Sequence, residues 1–177
     1  MPSSHLYQIP TIINIIRGLK PSSILDIGCG FGKYGFLARE YLEIWQNRYQ
    51  KSEWQTKIDC IEVHDFYITE IHSYIYDQIF QDEALAVLKN MGDQTYGLVL
   101  AIDILEHFPL EQGRVFIKEC RRIAAYTLIS TPKKFGEQDA VFNNQYEIHR
   151  SVWSLEEFDN LGVKGLADDP FSLIGVF

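Results

Sequence analysis

Three groups of residues in this chain have the types and spacing to do chemistry. Gly28, Gly30, Gly32 and Gly35 follow directly on an apolar run at residues 24–27 that contains one acid, Asp26. Backbone stripped of side chains there lets a ligand approach closely, so the stretch reads as a binding hinge. Acids also close two other apolar runs: Glu62 at the end of residues 57–63 and Asp103 at the end of residues 96–103. A third group, His107 and then Tyr146, Glu147, His149 and Arg150, offers acid–base and hydrogen-bonding side chains. Groups of this kind can move a proton or hold an acceptor.

The elements that must position these residues follow from hydrophobic periodicity. Ile9, Ile12, Ile13, Ile16 and Leu19 predict a leading helix within residues 1–20, stopped by Gly18 and Pro21. Behind the glycines, Tyr34, Leu37, Ala38, Tyr41, Leu42 and Trp45 recur at helical spacing and read as a core stripe. Strands are expected at residues 24–27, 57–63, 78–80, 96–103 and 126–131. Helices are expected around Ile68 to Ile75, at residues 84–90 and around Phe116 to Ala124. The continuous apolar run at residues 96–103 suggests a strand buried on both faces, as in a parallel sheet covered by helices. Residues 133–150 are polar and irregular, a loop long enough to be functional. Ser154-Leu155-Glu156-Glu157 has capping-box form, so a helix should run to about Leu161, and residues 163–177 read as an antiparallel hairpin. The pattern is α/β: a doubly wound, mostly parallel seven-stranded sheet with a C-terminal antiparallel hairpin. Ligands of such sheets bind beyond the carboxyl ends of the strands.

With 177 residues the chain suits a single domain, 1–177. A net charge of -8 disfavours a nucleic-acid partner. Cys29, Cys60 and Cys120 are isolated, with no Cys-x-x-Cys spacing. With no charged-then-apolar leader and no apolar run of membrane-spanning length, a cytoplasmic protein is expected.

The glycines satisfy Gly28-x-Gly30-x-Gly32 and also the dinucleotide fingerprint Gly30-x-Gly32-x-x-Gly35. Charge separates the two readings. A dinucleotide brings a negative pyrophosphate, whereas S-adenosylmethionine brings an ammonium and a sulfonium. Asp26 and Asp103 favour the cation, while Glu62 suits the ribose of either ligand.

At these residues the chain resembles the class I S-adenosylmethionine-dependent methyltransferases. The resemblance rests on residues 24–32, on Glu62, on Tyr96 through His107, on Leu128-Ile129-Ser130-Thr131-Pro132 and on the terminal hairpin. It covers roughly residues 9 to 177 and implies a Rossmann-like methyltransferase fold with S-adenosyl-L-methionine as cofactor. It further implies that Asp26, Gly28 and Gly30 hold the methionine portion, directly or through water, and Glu62 the ribose. Glu83 or Asp82 would face the adenine amino group, and Asp103 the amino-acid end. The family often has Gly-Asp-Ala where this chain has Asp82-Glu83-Ala84.

Methyl transfer from a sulfonium is an in-line displacement that needs alignment, and a base only if the acceptor must lose a proton. His107 is the base candidate, the alternative being a histidine that orients its loop. Asp103-x-x-Glu106-His107 also resembles a segment of the quinone-methylating branch, where such residues are linked to a divalent metal. Loop solvation or helix capping is the reading taken, and no metal is expected. Tyr146, His149 and Arg150 are the candidates for binding a small-molecule methyl acceptor; a solvated polar loop is their other reading. Tyr7 could cover the cofactor or be an ordinary surface residue, and Cys29 reads as a small residue that fits the turn. The alternatives are a non-catalytic S-adenosylmethionine-binding or partner-binding protein and, behind it, an NAD-dependent oxidoreductase.

Overall fold

The apolar run before the glycines forms the central strand of a seven-stranded sheet. In this computed structural model, which describes residues 3–134, 136–140 and 143–177, it spans Ser23–Ile27 (β1). It follows helix α1 (Ile9–Leu19) and leads into α2 (Lys33–Leu42). Next come β2 (Lys57–Ile61), α3 (Glu70–Ile75), β3 (Gln78–Phe80), α4 (Ala84–Lys89) and β4 (Tyr96–Ile102). The chain then forms α5 (Leu110–Ile123), β5 (Ala124–Pro132), α6 (Leu155–Asn160), β6 (Gly165–Ala167) and β7 (Ser172–Val176). Strand order is β3-β2-β1-β4-β5-β7-β6, with only the β7 pairings antiparallel. The chain winds outward from β1 to β3, then crosses back to place β4 on the other side of β1. That reversal opens a crevice beyond the carboxyl ends of β1 and β4.

Both faces of the sheet are covered, which explains the unbroken apolar strands. Leu25, Ile27, Val99, Ala101 and Ile129 pack on the side of Leu88, Phe116, Ile117 and Cys120. Ile24, Ile58, Leu98, Leu100 and Leu128 pack on the side of Ile12, Ile16, Tyr34 and Ala38. Each such fully buried aliphatic side chain contributes about 1.5–3 kcal/mol relative to exposure.

Three expectations change. Trp45 is not core: α2 ends at Leu42, and Trp45 lies 56% exposed beneath the Arg17 guanidinium. The helix stops because the Glu43 carboxylate turns inward, fully buried, to accept from Arg48 Nε at 2.5 Å and the Thr56 amide at 2.7 Å. The fifth strand, expected at residues 126–131, runs from Ala124 through Pro132, which is its last residue and pairs with Ser172 of β7. The hairpin's first strand begins at Gly165 rather than Val163. Of the loop expected at residues 133–150, Phe135, Val141 and Phe142 lie outside the described residues, as do Met1 and Pro2 of the leading segment. Among the described residues no helix is long and apolar enough to cross a membrane.

Candidate functional site

The crevice is a cavity of about 670 Å³ bounded by the glycine turn, the ends of β2 and β4, the amino-terminal segment and the loop after β5. Gly28, Gly30 and Gly32 all take positive φ (65°, 54° and 84°), which a side chain would strain. At Gly28 a Cβ would also fall 2.8 Å from Ile104 Cδ1. The turn's amides are already engaged. Gly28 N–H donates to Ile61 O at 2.9 Å, Gly32 N–H to Cys29 O at 2.9 Å, and Gly30 N–H to Glu62 Oε2 at 2.9 Å.

Glu62 therefore sits hard against the turn. Its other oxygen accepts from His64 N–H at 2.9 Å, and burial holds the carboxyl above its ordinary range despite these two donors. Each oxygen retains a lone pair, enough for two ribose hydroxyls.

Asp26 lies elsewhere. It is 2% exposed, does not line the cavity, and accepts from Tyr76 Oη at 2.7 Å and from the Gly35 amide. Direct contact with a cofactor's cation, which its sequence position suggests, does not fit this geometry. The carboxylate is placed beneath the turn, where it fixes Tyr76 against Gly35; a Cβ on Gly35 would land in that ring.

Asp103 does line the cavity, at the end of β4, in a left-handed conformation (φ 52°) that aspartate tolerates better than most residues. Ser130 Oγ donates to its Oδ1 at 2.7 Å and Gln8 Nε2 to its Oδ2 at 2.6 Å. Burial raises its carboxyl, and Lys33 opposes that shift. Lys33, also in the lining, reaches Ser3 Oγ and Ser4 O, each at 2.8 Å, tying the amino-terminal segment over this end. Tyr7 is half exposed and stacks on His5 rather than lining the cavity.

The far end is built by the turn after β4 and the loop after β5. Glu106 is 4% exposed, accepts from Thr131 Oγ1 at 3.1 Å, and is raised well above the usual carboxyl range by burial. Burial also pushes the His107 imidazole down to about 4; its Nδ1 meets Ile148 O at 3.3 Å, and its ring lies 5.1 Å from that of His149. Arg150 donates to the carbonyls of His107 and Gln145, both at 2.9 Å, clasping the loop to the turn. Tyr146, expected at the acceptor, instead donates across the cavity to Glu83 Oε1 at 2.6 Å. Tyr67 Oη donates to Glu147 Oε1 at 3.1 Å, a second tie on the same loop.

The structure thus brings Gly28, Gly30, Glu62, Glu83, Asp103, His107, Tyr146, His149 and Arg150 to one cavity and leaves Asp26 out. Sequence reasoning missed Lys33, Gln8 and Tyr67. Lys33, directly after the last glycine of the turn, carried the one usable signal: a cation at a helix start beside an acid-lined site. Cys29 is buried with a raised thiol pKa, held beside Cys60.

No protein-family model and no curated protein matches the sequence. Solved structures do match. A protein from Pyrococcus horikoshii superposes with a TM-score of 0.67 at 16% identity, over 96% of this chain and 86% of that one. A SAM-dependent methyltransferase from Aquifex aeolicus gives 0.63 at 18% identity, over 98% and 94%. Magnesium protoporphyrin IX methyltransferase from Synechocystis, with bound SAH, gives 0.60 at 14% identity, over 96% and 80%. The fold is that of the class I methyltransferases.

Proposed function

We propose that this chain is an S-adenosylmethionine-dependent methyltransferase, acting as one domain on a small-molecule acceptor. The observation that carries the reading is the Gly30 amide bonded to the Glu62 carboxylate. A dinucleotide's pyrophosphate would need that amide, and would meet a negative charge beside it. Glu62, Glu83, Asp103 and Glu147 line the cavity against Lys33 and Arg150, the lysine and arginine among its described residues, an excess of acids that suits a cationic cofactor. Three free, buried cysteines fit a cytoplasmic setting.

The residues fit the cofactor's parts. Gly28 and Gly30 admit the methionine portion, Glu62 has lone pairs for the ribose, and Asp103 offers its carboxylate to the ammonium. Glu83 is the acid nearest in type to what an adenine amino group requires, once Tyr146 releases it. When bound, S-adenosylmethionine supplies a methyl group already activated by its sulfonium charge. The chain's part is then alignment and exclusion of water, and orientation of this kind is worth about 7–11 kcal/mol in favourable cases. His107, with its imidazole held near 4, is neutral at physiological pH and a weak base. It orients an acceptor hydroxyl more readily than it deprotonates one, and rate profiles should show no His107 inflection near neutrality.

Calorimetric titration with S-adenosylhomocysteine tests the reading. Wild-type chain should bind, and Glu62→Ala and Asp103→Asn should bind much more weakly. Tighter binding of NAD than of S-adenosylhomocysteine would overturn it.

A further inference from the structure

One end of the cavity is closed by the chain's own amino-terminal segment, whose Ser3, Ser4 and His5 belong to the lining. The segment meets the two charged side chains there in opposite senses. To Lys33 it offers acceptors: Nζ donates to Ser3 Oγ and Ser4 O, each at 2.8 Å, and to Ser4 Oγ at 3.1 Å. To Asp103 it offers a donor, the His5 backbone N–H, and Gln8 at the base of the segment adds Nε2 at 2.6 Å. A free amino-acid group bonds in the same two senses, its carboxylate accepting from a cation and its ammonium donating to an anion. The segment therefore makes, from within the chain, the pair of contacts that a zwitterion would make from outside.

These contacts are replaceable. Lys33 forms no ion pair among the described residues, and a carboxylate is a stronger partner for its ammonium than two hydroxyls and a carbonyl. Gln8 is fully buried, and its Oε1 has no hydrogen-bond partner among the described residues. The docked segment thus leaves a polar atom unsatisfied on the amide that bonds Asp103, a cost that favours a ligand with several protons to donate. Outside the cavity the segment rests on the surface. The His5 and Tyr7 rings lie 4.6 and 5.3 Å from that of Phe171, and Leu6 and Tyr7 are 66% and 56% exposed. The buried residues of α1 begin at Ile12, so residues 3–7 can lift away without unpacking that helix.

We propose that residues 3–7 form an autoinhibitory strap over the amino-acid end of the cofactor site. S-Adenosylmethionine seats when its carboxylate takes Lys33 from Ser3 and Ser4 and its ammonium takes Asp103 from the His5 amide. The identity of the displacing ligand rests on the methyltransferase reading. Because the docked strap and the ligand exclude one another, the apparent Kd is raised by the fraction of chains in which the strap is closed. A nucleoside without the amino-acid end does not contest the strap and binds whether it is docked or not.

Two measurements on the full chain test this, with S-adenosylhomocysteine and with 5′-methylthioadenosine, a nucleoside thioether that lacks the amino-acid end. The first is chymotrypsin cleavage after Tyr7 in the wild-type chain, followed by mass spectrometry. S-Adenosylhomocysteine should speed it by releasing the strap, and 5′-methylthioadenosine should leave it unchanged. The second is calorimetry on the combined variant Ser3→Ala, Ser4→Ala, His5→Pro. It loses both hydroxyls and the His5 N–H, while the His5 φ of -64° already suits proline. This variant should bind S-adenosylhomocysteine at least about 10-fold more tightly, the worth of one hydrogen bond to a charged group, and 5′-methylthioadenosine as the wild type does. Protection of Tyr7 by S-adenosylhomocysteine, or affinity for it that is unchanged or weaker in the variant, overturns the strap and leaves the proposed function standing. An equal gain for both ligands overturns the mimicry of the amino-acid end. Binding of neither ligand to either protein overturns the proposed function itself.

Discussion

Burial raises the Asp26 carboxyl to about 6, although the Tyr76 hydroxyl and the Gly35 amide pull it the other way. The folded chain therefore holds this proton more tightly than the unfolded chain, whose aspartate titrates near 3.8. Stability from this group is fully present below about 3.8 and is lost as pH rises toward about 6, by up to about 3 kcal/mol. Asp26→Asn should flatten that part of a stability–pH curve measured by urea unfolding. An undiminished slope would assign the titration to another group. Gly35→Ala tests the same contact sterically. Its Cβ would enter the Tyr76 ring and disturb the bond to Asp26, costing about 1–3 kcal/mol in chemical denaturation and weakening S-adenosylhomocysteine binding. At this scale the residue types were legible and their directions were not. Asp26 and Asp103 both belong to buried strands or their ends, yet one points under the turn and the other into the cavity, a difference set by Tyr76, Gln8 and Ser130 from distant segments.

Among the elements, the strands could be read because each is an apolar run closed by an acid, a glycine or a proline. Three-residue β3 was readable only from its place in the alternation. Trp45 misleads because helical spacing continues past the point where buried Glu43 and its Thr56 and Arg48 partners end the helix. The loop after β5 is the element whose role changed most. It is tied down by Tyr146 on Glu83 and by Tyr67 on Glu147, so it closes over the cavity rather than merely bordering it. If Glu83 serves the adenine amino group, Glu83→Ala should weaken S-adenosylhomocysteine binding by about 1 kcal/mol, the worth of one hydrogen bond. Tyr146→Phe, which frees that carboxylate, should leave affinity unchanged or raise it. Weaker binding in Tyr146→Phe would instead make the tyrosine itself a cofactor contact.

For the whole molecule, a ligand that binds only the folded chain must stabilise it. S-Adenosylhomocysteine at a hundred times its Kd should add about 2.7 kcal/mol, seen as a Tm rise of several degrees, while NAD at the same concentration should add nothing. A rise with NAD alone would reverse the cofactor assignment. The sequence by itself determined the doubly wound sheet, the glycine turn and the acidic sign of the site. Those properties follow from local patterns: hydrophobic period, missing Cβ atoms and the charges at strand ends. Only the tertiary structure decided which carboxylates face the cavity, that Lys33 and the amino-terminal segment close one end, and that His149 meets Glu106 and His107 at the other. These are juxtapositions between segments far apart in the chain, fixed by sheet order and loop hydrogen bonds, and no local spacing encodes them.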